Sequence, residues 1–361
     1  MMNKNNYVAI MAGGIGSRFW PMSRLNYPKQ FLDILNTGRT LIQATYDRFA
    51  KFIPAENIYI VTFEQYKNIV TEQLPELRKE NILSEPSRKN TAACVAYVSY
   101  KLHELNPEAN LVCAPADHII IDAEEFQNIC EHALDFTHQI KALVTLGIKP
   151  THPNTGYGYI QFEQQAVSEN VYKVKTFTEK PDKDLAKTFI ASGDFLWNAG
   201  IFVWQVKNIL ASFEKFLPEM YEVFDAEKAS FNTNHEQQAL EKIYPQCINT
   251  SIDYGVMEKA DNVYVIPSSF GWSDLGTWTS IYDNIEKDYL DNAVAGSNVM
   301  IIDATRNIVH TDNKKLVLLQ GLDDFIVVDT KDVLLICKKD KEQTIKEYVA
   351  EIRRNKGDKY I

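Results

Sequence analysis

Through the first part of the chain, apolar positions alternate between short unbroken runs and runs at helical spacing. Residues 7–11 are a short apolar run of strand type, and the mostly apolar stretches 57–61, 109–114 and 142–147 read as further strands. Between them, 40–52 (Leu41, Thr45, Arg48, Phe49), 63–77, 91–105 and 123–140 carry helical periodicity. A short strand near Ile82 leads into Glu85. Strand and helix in alternation predict an α/β fold with a mixed, mainly parallel sheet, helices on both faces, and ligands at the carboxyl ends of the strands. The glycines after residue 11, Glu85, Asp117 and Gly147 are expected just past such ends.

From Tyr157 the rhythm changes to alternating, hairpin-like strands at 159–162 and 171–177, a helix over 182–192, a strand over 196–203, then helical segments at 206–224 and 236–243. No linker rich in Ser, Gly or Pro separates this part, so it reads as an insertion on the same domain. Beyond about residue 285 short apolar clusters recur roughly every seven to nine residues, with Asp, Asn and Gly between them. That pattern predicts the coils of a small β-solenoid, followed by a charged helix over 341–352. The expected domains are 1–285 and 286–361.

With 45% apolar and 24% charged residues the chain is of ordinary globular type. A formal charge of −10 argues against a nucleic-acid or membrane-surface binder, and no apolar run approaches a membrane span. Five widely spaced cysteines without a CxxC pair suggest neither zinc nor disulfides. A cytoplasmic protein with buried thiols is expected.

An acidic chain that holds a polyphosphate must gather its cations locally, and the first stretch does so. After the strand at 7–11, Gly13, Gly14 and Gly16 allow a sharp turn that brings bare N–H groups to a ligand, and Arg18, Arg24 and Lys29 follow. No Gly-Lys-Ser/Thr is present, and Phe19 occupies the third glycine position of a dinucleotide fingerprint. Glu85 and Asn90 stand at a strand end. Guanine offers adjacent N1–H and N2–H₂ donors that one carboxylate can accept, whereas Asn90 with Thr91 also reads as a plain helix start. Asp117, ending a buried strand, is a natural ligand for Mg²⁺ on phosphates, or a polar cap on a turn. Asp274 in the FGWSDLGTW loop is the second carboxylate, and Asp253 in SIDYGVMEK is unassigned. Glu179 and Lys180 would face opposite ways in a regular strand, so a bend before Pro181 is required if both serve one ligand.

The segment GGxGxRxWPxSRxxxPKQF resembles the N-terminal signature of the mannose-1-phosphate guanylyltransferases, within the sugar nucleotidyltransferases. EPSRKNTAAC, PADH, TGYGYI, FTEKP and WNAG are similar to further motifs of that family. The resemblance implies a Rossmann-like nucleotidyltransferase domain closed by an abbreviated left-handed β-helix, and no isomerase domain. It implies GTP and mannose 1-phosphate as substrates, Mg²⁺ as cofactor, and a homodimer. It assigns catalysis to Arg18, Lys29, Asp117 and Asp274, with the two aspartates on the metal. Ala12, Gly13, Gly14, Gly16, Glu85, Asn90 and Thr91 would bind nucleotide, with Lys89 an extra cation near the phosphates. Gly156, Tyr157, Glu179, Lys180 and Asn198 would bind the sugar phosphate. A sister enzyme for another sugar or base, a nucleotide-sugar sensor without turnover, and a solenoid acyltransferase are the alternatives.

Overall fold

Apolar runs bounded by turns become strands because both of their faces find helices to cover them. A computed structural model describes residues 2–312 and 314–361 and divides the chain into two compact units. The first comprises the chain up to Gly13 together with Thr45–Ala116 and Ile120–Trp272; the second comprises Gly14–Ala44, Asp117–Ile119 and Ser273–Ile361.

Among the described residues the first unit carries nine strands: β1 (Asn6–Met11), β2 (Ile58–Phe63), β3 (Ile82–Glu85), β4 (Asn110–Pro115), β5 (Leu143–Ile148), β6 (Gly158–Ser168), β7 (Val171–Glu179), β8 (Phe195–Gln205) and β9 (Val263–Ser268). They form one sheet in the order β3-β2-β1-β4-β8-β5-β9-β7-β6. Strands β7 and β8 run against the other seven, which makes the sheet mixed and mainly parallel. Helices Asn90–Leu105, Val206–Phe216 and Glu236–Gln246 join one continuous core with the buried faces of β1, β2 and β4. The helix expected over 63–77 is only Lys67–Gln73, because Pro75 disfavours helical backbone in the residue before it. The expected 206–224 segment breaks at Leu217, with Pro218 starting the next helix, Pro218–Ala226. Gly147 is not a loop residue after its strand. It lies inside β5 at a register shift, where a Cβ would stand 2.7 Å from Leu196 and Val265, so it serves packing.

In the second unit the recurring clusters become Val299–Ile302, Ile308–Thr311, Val317–Gln320, Phe325–Asp329 and Leu334–Lys338. Through the first four clusters it is alternate ones, not successive ones, that pair. Val299 lies against Val317 and Ile308 against Ile326, in parallel and eighteen positions apart, so two clusters make one coil. Leu334–Lys338 then closes the stack antiparallel to Phe325–Asp329. The last helix is Ile345–Lys356, preceded by a 3₁₀ stretch. Phe19, Trp20, Leu275, Trp278, Ile326 and Ile345 share this unit's core, so the turn after the glycines rests on apolar residues from far along the chain. Among the described residues no helix is long and apolar enough to cross a membrane.

Candidate active site

In the second unit the segment from Gly14 onward is folded tightly on itself. Gly16 has φ +64°, and a Cβ there would lie 2.5 Å from the Lys29 Cβ, so only glycine permits this approach. Ser23 donates its hydroxyl to the Ile15 carbonyl at 2.6 Å. Lys29, 3% exposed, sits with its ammonium 5.3 Å from the Phe19 ring centre, and Phe19 packs on Trp278. The ammonium donates to Asp117 Oδ2 at 2.9 Å and to the Asp274 carbonyl at 2.7 Å. Three residues separated by long stretches of sequence therefore meet at one cation. Asp274 Oδ1 accepts from the Gly276 amide at 2.8 Å, which fixes the loop. Burial alone would raise the Asp117 carboxyl, but the Lys29 ammonium, with His118, holds it below the usual carboxylate range. His118 Nε2 lies 4.0 Å from the other Asp117 oxygen.

Arg18 lies on the same turn, and its Nε is buried with no hydrogen-bond partner among the described residues. A buried guanidinium edge without an acceptor favours an anion. Arg24 does not have this character, which corrects its reading as a third phosphate cation. Its Nε donates to the Pro21 carbonyl at 2.6 Å, Nη1 to the Tyr360 carbonyl at 2.7 Å, and Nη2 to Asp332 at 2.8 Å. Trp20 Nε1 donates to the same Tyr360 carbonyl at 2.6 Å. These two signature residues grip the chain rather than a ligand.

The metal assignment can be tested on the donors present. Among the described residues no group of three His, Cys, Asp or Glu side chains could cage an ion. The Asp117 carboxylate lies on Lys29, whereas Asp274 meets the same ammonium through its main-chain carbonyl. Carboxylates of this kind fit a divalent ion that completes its shell with phosphate oxygens and water, as Mg²⁺ commonly does.

The first unit holds the remaining candidates. Ala12 continues the sheet, its N–H donating to Val61 O at 2.8 Å and its carbonyl accepting from Thr62. Gly13 faces the Phe63 ring and Glu85 Oε2. Glu85, 5% exposed at the end of β3, accepts from the Tyr244 hydroxyl at 2.9 Å, and burial pushes its carboxyl up to about 7 despite that bond. Asn90 opens its helix in left-handed backbone (φ +66°) with Oδ1 on the Thr91 amide, while Thr91 Oγ1 accepts from the Ile252 amide. Lys89 is not poised for a phosphate as expected; it donates to the Cys247 carbonyl at 2.8 Å.

The bend required before Pro181 is present. Lys180 adopts φ +50°, its amide donates to the Tyr157 carbonyl at 3.1 Å, and its ammonium pairs with Glu179. Gly158 separates Glu179 from Asn198, with a hypothetical Cβ falling close to both. Gly156 is held by Asn154, and the Tyr157 ring stands edge-on to Trp197 and Trp272. Asn198 is largely used internally: Oδ1 accepts from Thr145 and the Gly200 amide, and Nδ2 donates to Asp253 at 2.7 Å. Asp253 begins a π-helical turn, and burial, with the Glu179 charge, raises its carboxyl. Sequence reasoning missed Tyr244, which lies just past the expected 236–243 helix and matches no motif. The SIDYGVMEK stretch did signal Asp253.

Residues 7–291 match the family model described as Nucleotidyl transferase, and 297–352 match the MannoseP isomerase/GMP-like beta-helix domain. The chain is 37% identical over 349 residues to "Alginate biosynthesis protein AlgA" of Pseudomonas aeruginosa, covering 95% of this chain and 71% of that protein. It is 35% identical to "Mannose-1-phosphate guanylyltransferase 2" of Escherichia coli O157:H7, covering 98% and 74%. A crystal structure described as mannose-1-phosphate geranyltransferase from Thermus thermophilus superposes with a TM-score of 0.87 at 29% identity, over 97% of this chain and 99% of that one. The chain thus belongs to the nucleotidyl transferase family, among the mannose-1-phosphate guanylyltransferases.

Proposed function

We propose that this protein transfers the guanylyl group of GTP to mannose 1-phosphate, forming GDP-mannose and diphosphate. A phosphate oxygen of the sugar phosphate attacks the α-phosphorus. That P–O bond forms as the bond from the α-phosphorus to the bridging oxygen breaks, and diphosphate leaves in line with the electron pair. The attacking phosphate is ionised at neutral pH, so no general base is required. Catalysis of this kind rests on positioning and charge neutralisation.

The meeting of Lys29, Asp117 and Asp274 carries the reading, since it joins a fixed cation, the Asp117 carboxylate and the main-chain carbonyl of Asp274 from three distant parts of the chain. Lys29 and Arg18 neutralise the triphosphate, and Lys180 orients the attacking phosphate. Asp117 and Asp274 would hold Mg²⁺, which when bound adds positive charge at the phosphates. Glu85 accepts from the guanine N1–H and N2–H₂, donors that adenine does not present together. Glu179 and Asn198 contact the sugar, Asn198 through its remaining N–H.

A panel of nucleoside triphosphates against sugar 1-phosphates, read by diphosphate release, tests this. GTP with mannose 1-phosphate is expected to give the highest kcat/KM. Preference for another pair would make the protein a sister enzyme, and no release with any pair would leave a nucleotide-sugar sensor.

A further inference from the structure

Glu85 is surrounded in an unusual way. The titratable groups that face it are the Cys94 and Cys247 thiols and the Tyr97 and Tyr244 phenols, each raised by burial and therefore uncharged at neutral pH. The cations nearest in sequence are engaged elsewhere. Arg88 lies over the Phe63 ring at 5.0 Å and donates to the Tyr66 hydroxyl, and Lys89 holds the Cys247 carbonyl. The Tyr244 hydroxyl on Oε1 is the hydrogen bond that stabilises the carboxylate, and Tyr244 is itself fully buried. Oε2 has no donor among the described residues and lies toward Gly13, 3.8 Å from where a Cβ on that glycine would stand. A carboxylate offers about four lone-pair positions, so one bond to Oε1 still leaves both oxygens able to accept.

We infer that Tyr244 is a specificity-determining positioning residue: by locking Oε1 it fixes the carboxylate plane of Glu85, so that adjacent N–H donors of a guanine base are accepted and a base lacking that pair is rejected. This rests on the reading of Glu85 as the base-recognising group. Tyr244 acts through Glu85 and does not touch the base. Removing its hydroxyl frees the carboxylate to rotate and withdraws the bond that opposes burial, so the carboxylate is protonated at higher pH.

Tyr244→Phe tests this, with kcat/KM for GTP and ATP measured across neutral pH. The GTP-to-ATP ratio at neutral pH is expected to fall about tenfold, since a site that reads hydrogen-bonding groups discriminates through them. The pH at which discrimination is half lost should move upward, and KM for the sugar phosphate should not change. Tyr97→Phe is the control, because that hydroxyl donates to Glu236 rather than Glu85. A wild-type ratio and midpoint in Tyr244→Phe, while Glu85→Gln lowers the ratio, would overturn the inference and leave the base reader standing. No change in either variant would remove Glu85 as well. The double variant guards against a folding artefact: its ratio should match Glu85→Gln alone, and additive losses would show that Tyr244 acts independently.

Discussion

Asp117 and Glu85 are both carboxylates at strand ends, yet their surroundings drive them in opposite directions. Asp117 has an ammonium at 2.9 Å and is held ionised below the ordinary range. Glu85 faces two phenols and two thiols and, among the described residues, no cation, and burial lifts it to about 7. The signs in stability differ accordingly. For Asp117 the unfolded chain binds more protons than the folded one at low pH, so its contribution is present above the ordinary value of 3.8 and is lost as pH falls below it. For Glu85 the folded chain binds more protons between the ordinary 4.5 and about 7, so stability declines as pH rises through that window. A charge-compensated carboxylate suits a metal and phosphates. An uncompensated one suits neutral N–H donors, for which a lysine would compete.

The comparison can be broken most forcefully at Lys29. Lys29→Ala, or Asp274→Ala, should lower turnover by on the order of a hundredfold or more, the size typical of a positioned electrostatic contributor. Steady-state rates within a few-fold of wild type would strike that residue from the catalytic set. Glu85→Gln should reduce the preference for GTP over ATP about tenfold and abolish the fall in stability between pH 4.5 and about 7, because an amide does not ionise. Thermal denaturation across that range reads the second effect, and an unchanged nucleotide ratio would place base recognition elsewhere. The smallest effect is expected outside both sites: Trp20→Phe removes one hydrogen bond to the Tyr360 carbonyl and should cost about 1 kcal/mol in denaturant unfolding.

Much of this was legible in the residues. The strand ends carrying Gly13 and Glu85 follow from apolar runs cut by polar or glycine residues, and the bend at Lys180 was required by strand alternation before the left-handed backbone was seen. The glycine cluster with its cations gave the expectation of an anion site. It could not announce which cation would be taken up by the fold: Arg18 and Arg24 look alike in sequence, and only the folded position of Tyr360 separates them. Tyr244 was illegible for a similar reason, since a tyrosine in a helix resembles any core residue until its hydroxyl is seen to meet a carboxylate 159 positions away. The solenoid showed its clusters but not its pairing, because the first four pair alternately whereas the last two pair in succession.

Trp20 and Arg24 converge on a main-chain carbonyl, and that has an evolutionary corollary. Every residue type at position 360 presents the same oxygen, so the letter there can drift. Spacing cannot: one residue inserted between Lys356 and Tyr360 would displace the acceptor by up to about 3.8 Å, beyond what a hydrogen bond tolerates. Natural variation in this stretch should therefore be rich in substitutions and poor in insertions or deletions.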